Sequence, residues 1–417
     1  MSDSDVQGRA DSQRQPIEID GRTLEGGGQL LRLTVGLSAL TNTPVRITSI
    51  RGNRSAGGGL KPQHLACVNW LTHASQANVS GAEKGSQTLD FKPSYSGLVS
   101  PVYALVKDKN SGNRFWDCRL DIKTAGSTTL ALQAILPFIL FKPPKKDDGT
   151  PSKFPVRLTI SGGTNVSASP SYEYITQVLL PTLQDIGLPP ISARLNKRGW
   201  SHGGSNIGSF TLEIRARRSL ALPAFQLCPE DTTRKPKLPT RIDATFLGPA
   251  AAHSHLKATL GPALDSYFGP SFANNARNLD LTCEDTRHDK RYYLLLVASV
   301  DSSSSEEAPA RMYRLGRDWL YDRRVRAPES AVEDLVEKVC RDLHAEWSSG
   351  AYVDEHMRDQ LVVFQALADG KSSTFAGLDE SGQPREPSLH ARTAEWVAGR
   401  LLDSNVRKDA VGSINAN

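Results

Sequence analysis

The segment "IRGNRSAGGGLKPQHLACV", residues 50–68, contains Arg51, Arg54, Lys61, a triple glycine and the pair Gln63-His64, and no acidic residue. The acid-free stretch reaches back to Arg46. The whole chain has a net charge of only +5, from 50 basic and 45 acidic residues, so positive charge of this density is local and reads as an anion site. The alternative is an ordinary solvated face. Arg51 and Arg54 flank "GN" just after a strand end, a placement that suits bidentate contact with phosphate. His64 is the first candidate to react with it.

Three further polar or glycine-rich signals each stand before a helix: "LEGGGQ" at 24–29, "TAGSTT" at 124–129 and "DEHMRDQ" at 354–360. A helix N-terminus presents unpaired N–H groups and a partial positive charge, and three of them around one cleft would bind phosphate groups. Glu25 and Asp359 lie at these starts. Each is readable as charge matching to the helix dipole or, for a divalent ion such as Mg²⁺, as one of the few carboxylates it needs beside phosphate oxygens. Arg32 on the first helix could reach the same cleft.

The elements that must position these residues recur. "QLLRLTVGLSALT" (29–41) has helical spacing and runs into the strand "PVRITSI" (44–50). "TTLALQAILPFIL" (128–140) likewise precedes "PVRLTIS" (155–161). Each strand leads through a Gly-rich loop to a second helix, "QHLACVNWLTHA" or "YEYITQVLLPTLQ", and then to strands. A third copy has helices in "HMRDQLVVFQALADG" (356–370) and "PSLHARTAEWVAGRLLD" (387–403), with "STFAG" between them. The reading is a repeated βαβ-type unit. The long gap before the third copy marks an insert, expected over 219–325 as a small α/β domain remote from the site. The amphipathic helix 330–347 then returns the chain to the third copy. The domains are therefore 17–218 for repeats one and two, 219–325 for the insert and 326–405 for repeat three, with 1–16 and 406–417 and the "DSSSSEEAPA" segment expected to be disordered.

Composition excludes several classes. Five scattered cysteines without a CxxC pair argue against a disulfide framework and a zinc site. The isolated His253-Ser254-His255 reads as surface rather than metal site. The longest apolar run, "LALQAILPFILF", is too short to span a bilayer, and the polar opening of the chain is no secretory signal, so an intracellular protein with no membrane partner is expected. The segment 190–218, with six basic residues against Glu213 alone, is a second candidate for a polyanionic strand.

Taken in order, "EGGGQLLR", "IRGNR", "GLKPQHL", "AGSTTLALQAILP", "SGGTN", "DQLVVFQALA" and "LHARTAEWV" resemble the RNA 3′-terminal phosphate cyclases, in particular catalytic, eukaryotic-like members, over about residues 17–403. The resemblance implies three βαβαββ-like units around a pseudo-threefold axis with a smaller inserted α/β domain. It implies ATP-dependent conversion of RNA 3′-phosphate ends to 2′,3′-cyclic phosphodiesters, through a covalent histidine-AMP and an RNA-adenylate, with ATP and Mg²⁺ or Mn²⁺ as cofactors. Position by position, His390 matches the nucleophile and Glu25 the metal-side carboxylate. Arg32, Arg51 and Arg54 match phosphate contacts, and Gln63, His64, Gln133, Asp359 and Gln360 match further residues of the ATP cleft. His64 would then line the site while His390 reacts. The family also implies a nuclear location, RNA with a 3′-phosphate end as partner and no obligate protein partner. His356, where the family tends to have Tyr, Asn165, where bacterial members tend to have Asp, and the run 203–208 depart from the pattern. The competing readings are a non-catalytic cyclase-like protein that binds RNA in ribosome assembly and a small-metabolite transferase on the same fold. The first lacks the nucleophilic histidine and much of the arginine pattern; the second would give no cyclic end from ATP and a 3′-phosphorylated oligonucleotide.

Overall fold

The structure is a computed structural model that describes residues 15–55, 57–94, 100–145, 149–215, 221–229, 238–270, 272, 278–300 and 313–402. The segment expected to be disordered at 301–310 and the expected tails, apart from Gln15 and Pro16, lie outside the described residues.

In the first unit the parallel strands β1 (Ile17–Asp20) and β2 (Val45–Thr48) are joined by helix α1 (Gly28–Thr41). Helix α2 (Pro62–Ser75) follows, and β3 (Asn78–Ser80) and β4 (Leu89–Lys92) complete a sheet of order β1-β2-β4-β3. The period of two in β2 buries Val45 and Ile47 and exposes Arg46.

The second unit begins with β5 (Ala104–Lys107) and β6 (Arg114–Asp121) and continues through α3 (Thr128–Phe141) to β7 (Val156–Gly162). Its second helix, α4, runs without a break through Tyr172–Tyr174, the π-helical turn Ile175–Leu179 and Leu180–Asp185. β8 (Ile191–Lys197) and β9 (Gly208–Ile214) close a sheet of order β5-β6-β7-β9-β8. Without the leading β5, the order β6-β7-β9-β8 repeats that of the first unit, parallel pair and antiparallel pair included.

Two short strands then follow, β10 (Leu222–Pro223) and β11 (Gln226–Leu227). The insert has strands β12 (Arg241–Gly248), β13 (Leu279–Asp285), β14 (Tyr293–Ser299) and β15 (Arg314–Leu320) in the order β13-β12-β14-β15. Its helices are α5 (His253–Phe268) and α6 (Pro328–Ser348). The third unit resumes with α7 (Glu355–Leu367), β16 (Ala368–Asp369), β17 (Ser373–Thr374) and α8 (Leu389–Leu401).

Both expected boundaries of the insert move. β10 and β11 pair in parallel with β16 and β17, so they belong to the third unit, not to a domain starting at 219. Helix α6 lies beyond the expected end at 325 and belongs by its contacts to the insert. Its stripe of Ala331, Val332, Leu335, Val336, Val339 and Leu343 is buried in one cluster with Leu256, Leu260, Leu294 and Leu296. The inserted unit thus runs from β12 to α6. It is not remote from the core either, because Tyr293, Leu295 and Val297, on the other face of β14, join the main core.

Helix α1 is the axis of the core. Every residue from Gln29 to Thr41 is buried, between α2, α3 and α8. A Cβ at Gly36 would stand 2.5 Å from the Ala134 carbonyl oxygen, so glycine lets α1 and α3 cross this closely. Burial of each leucine on α1 contributes about 1.5–3 kcal/mol, which fixes the N-terminus of the helix at the site described next.

Candidate active site

The first turns of α1, α2, α7 and α8 and the loop before α3 converge on one cavity of about 890 Å³, closed on its far side by the insert. Glu25, Arg32, Arg51 and Arg54 line it, as do Gln63, His64 and Gln133. So do Asp359, Gln360 and His390. All ten residues matched to the ATP cleft therefore reach one space, although the chain separates Glu25 from His390 by nearly its whole length. None of the described residues of the basic segment 190–218 lines it.

The glycines open the site. A Cβ at Gly28 would lie 2.5 Å from His64 Nε2 and 2.8 Å from Arg32 Nη1, so the backbone of α1 is in close contact with both side chains. Glu25 is buried: its backbone N–H donates to Thr393 Oγ1 at 3.1 Å, and its carboxylate accepts the Gly27 N–H at 2.6 Å and pairs with Arg54. Arg51, in left-handed backbone with φ 56°, donates Nη1 to the carbonyls of Gly57 and Gly59 at 3.3 and 3.2 Å, which ties the loop 51–59 to its own strand end. Arg32 is 6% exposed and its Nε has no hydrogen-bond partner. Burial, first of all, holds the Arg32 guanidinium below its usual range, and burial with the nearby Arg54 does the same to Arg51. Both polar atoms of Gln133 are buried without a partner. Unsatisfied donors at the wall of a polar cavity are costly unless a ligand completes them.

The two histidines differ. His64 is 2% exposed, and its Nδ1 accepts the Lys61 N–H at 3.3 Å in the first turn of α2. Burial, followed by the field of Arg32, Arg51, Lys61 and Arg54, pushes its pKa down to about 2, so the ring is neutral at any working pH. With Nδ1 accepting, Nε2 carries the proton, and the Gln63 amide nitrogen 3.4 Å away is a contact rather than a donor to it. The other end of that amide, Gln63 Oε1, accepts the N–H of Ser127, the residue whose hydroxyl caps α3. His390 is exposed, in the first turn of α8 behind the Ser388 cap, and its Nδ1 lies 2.6 Å from Gln29 Oε1. Gln29 Nε2 in turn donates to Asp359 Oδ2. Burial raises the Asp359 carboxyl to about 6, against the opposing field of His390 and His356.

Sequence reasoning passed over Gln29 and Thr393, and the whole insert wall of Tyr293, Arg317, Asp318 and Trp319. Contrary to the expectation of a remote insert, β15 faces the cavity. Arg317 pairs with Glu346 and Glu355, and its Nη1 lies 3.3 Å from His356 Nε2. Gln29 had a legible signal, as a polar residue three positions before Arg32 and so on the same face of α1; the insert wall had none. Asn165 explains its own departure from the acid pattern: its amide donates to Glu173 at 2.8 Å, where a second carboxylate would be repelled. The run 203–208 is held by Arg291, which donates to the carbonyls of Gly203 and Gly204.

Among the described residues no group of three or more His, Cys, Asp or Glu side chains is placed to hold a metal ion. His253 bonds the Gly248 carbonyl and packs edge-on against Phe246, and His255 pairs with Glu333; both are half-buried. All five cysteines are free. No described helix is long and apolar enough to cross a membrane.

A buried cationic wall, an uncharged buried histidine and an exposed one thus surround one open polar cavity. The sequence model of the family described as RNA 3′-terminal phosphate cyclase matches residues 23–407. The chain is 36% identical over 386 residues to the RNA 3′-terminal phosphate cyclase of Pyrococcus furiosus, covering 93% of both chains. It is 31% identical over 392 residues to that of Methanosarcina mazei, covering 93% of this chain and 95% of the relative, and 30% identical over 385 residues to that of Nitrosospira multiformis, covering 92% and 91%. The chain belongs to the RNA 3′-terminal phosphate cyclase family, a family of enzymes. These relatives come from archaea and bacteria, so they lend no support to the expected nuclear location.

Proposed function

We propose that this protein converts RNA 3′-phosphate ends to 2′,3′-cyclic phosphodiesters at the expense of ATP, with His390 as the nucleophile and the three units set around a pseudo-threefold axis. The observation that carries the reading is the pairing, in one cavity, of an exposed imidazole at His390 with the unsatisfied Arg32 Nε and Gln133 amide. In the first step a neutral nitrogen of His390 attacks the α-phosphorus, a P–N bond forms and pyrophosphate leaves. A 3′-phosphate oxygen of the RNA then takes the AMP and the P–N bond breaks. Last, the vicinal 2′-oxygen attacks the 3′-phosphorus and AMP departs, its proton lost to solvent. Splitting the reaction in this way replaces one hard displacement by easier ones.

Arg32 and Arg54 would meet charge developing at phosphorus, and the preorganised donors of Gln133 and His64 would orient phosphate oxygens. Glu25 would be the carboxylate that holds Mg²⁺ or Mn²⁺, an ion that typically uses one or two carboxylates, in exchange for its pairing with Arg54. Such an ion would neutralise phosphate charge when bound. Nothing observed favours the non-catalytic reading, because the histidine and the arginines are in place.

Incubation with α-labelled ATP and a divalent metal, followed by denaturing electrophoresis, tests the proposal. Label should stay on the wild-type chain, be lost in acid and persist in alkali, as a phosphoramidate behaves. His390→Ala should abolish it while His64→Ala only weakens it, and a fully labelled His390→Ala protein would end the mechanism.

A further inference from the structure

We propose that Gln29 is the positioning residue that fixes the tautomer of His390, with Asp359 setting the direction of the Gln29 amide. The proposal rests on the reading of His390 as nucleophile. It goes beyond that reading by saying which ring nitrogen reacts and what holds it ready.

An amide side chain has one donating end and one accepting end. An ionised carboxylate only accepts, so Gln29 Nε2, which meets Asp359 Oδ2, must be the donating end. The accepting end, Oε1, then faces His390 Nδ1 at 2.6 Å, and that contact is attractive only if Nδ1 carries the proton. A neutral ring with Nδ1–H keeps its lone pair on Nε2, the nitrogen not used by Gln29. The reversed amide would set a carbonyl against the carboxylate and an NH₂ against the ring. Its ring would then hold Nε2–H and have no nucleophile on that side.

The three residues come from α1, α7 and α8, and Gln29 is only 3% exposed. Water therefore cannot compete for the amide, and helix packing holds its direction before any ligand arrives. The relay has a second consequence. A carbonyl accepts the Nδ1 proton in a hydrogen bond but cannot remove it, so the ring of the adduct stays protonated at Nδ1 after Nε2 bonds phosphorus. The positive ring is the better leaving group when RNA phosphate attacks: as the P–N bond breaks its electron pair returns to Nε2, and the ring is again neutral with its proton still on Nδ1.

The test uses the full-length chain with ¹⁵N-labelled histidine. Long-range ¹H–¹⁵N correlation spectra above pH 7, assigned with His390→Ala, should report the Nδ1–H tautomer for His390 in the wild-type protein. In Gln29→Leu the ring should become a mixture of tautomers and the rate of covalent labelling by ATP should fall about a hundredfold, with little change in the ATP concentration that half-saturates it. Asp359→Asn keeps Gln29 in place but frees the amide to turn. It should also give mixed tautomers, which keeps the test open if Gln29→Leu does not fold. A wild-type His390 in the Nε2–H form, or Gln29→Leu with unmixed Nδ1–H and wild-type labelling, would overturn the relay. Labelling that survives His390→Ala would instead overturn the nucleophile and leave the tautomer result standing as a separate fact.

Discussion

Arg32 on α1 is a buried guanidinium and Arg198 just after β8 a mostly buried one, yet their surroundings are opposite. Arg32 Nε has no partner and the cavity is open beside it. Arg198 is clamped by Glu173 of the second unit at 2.6 Å and by Glu284 of the insert, also through short contacts. These acids, against the cost of burial, raise its pKa still further. A cation left incompletely paired at a cavity wall is poised for a ligand, whereas one enclosed by two carboxylates is a strut between domains. The basic stretch 190–218, read from sequence as a possible RNA track, therefore has a different use at its best-placed residue.

The comparison is broken or sharpened most strongly at the strut. Arg198→Ala leaves Glu173, whose side chain is 4% exposed, without its cation. Removing one partner of a buried pair costs on the order of 3 kcal/mol, so chemical denaturation should register a loss of about that size. Unchanged stability would mean that the insert is not held by this contact. At Arg32 the opposite pattern is expected. Arg32→Met deletes a desolvated, incompletely paired charge, so stability should hold or rise, while turnover falls by about one to two orders of magnitude, as loss of a charged contact worth roughly 1.5–3 kcal/mol implies. A variant that lost stability and kept its turnover would put Arg32 in the same class as Arg198.

What the sequence disclosed and what it hid divide along the same line. Helices α1, α2, α3 and α8 were readable because apolar spacing near 3.6 gives way to strands with a period of two, and the glycines before them mark where backbone approaches the cavity. Glu25, Arg32 and Asp359 followed from these starts, whereas Gln133, Gln360 and His390 entered only through the resemblance to the cyclases. The short strands β10 and β11 were not readable, since two residues have no period and only pairing with β16 and β17 defines them. Nor was the ownership of α6, because an amphipathic stripe announces a partner without naming it. Least readable were the charge pairings: Arg198 and Glu284 are 86 residues apart, and Gln29 and Asp359 are 330 apart. Whether an arginine is free or clamped is a property of the folded chain alone.

The smallest effect concerns His64, which shares the wall of Arg32 and feels its charge. Its folded pKa of about 2 lies below the value near 6.5 of an unfolded histidine. Between these two values the unfolded chain binds one proton more than the folded chain at this position. Stability must therefore fall as pH drops below about 6.5, by at most about 1.4 kcal/mol per pH unit from this group. The sign is the reverse of that for Asp359, whose raised folded pKa of about 6 makes the folded chain the better proton binder as acid is added. His64→Gln should remove the first contribution and leave the second, so that between pH 7 and pH 5 the variant loses less stability than the wild type. Parallel denaturation curves at the two pH values would show that His64 is protonated in the folded protein, and with it that the cationic wall around Arg32 is better screened than its burial indicates.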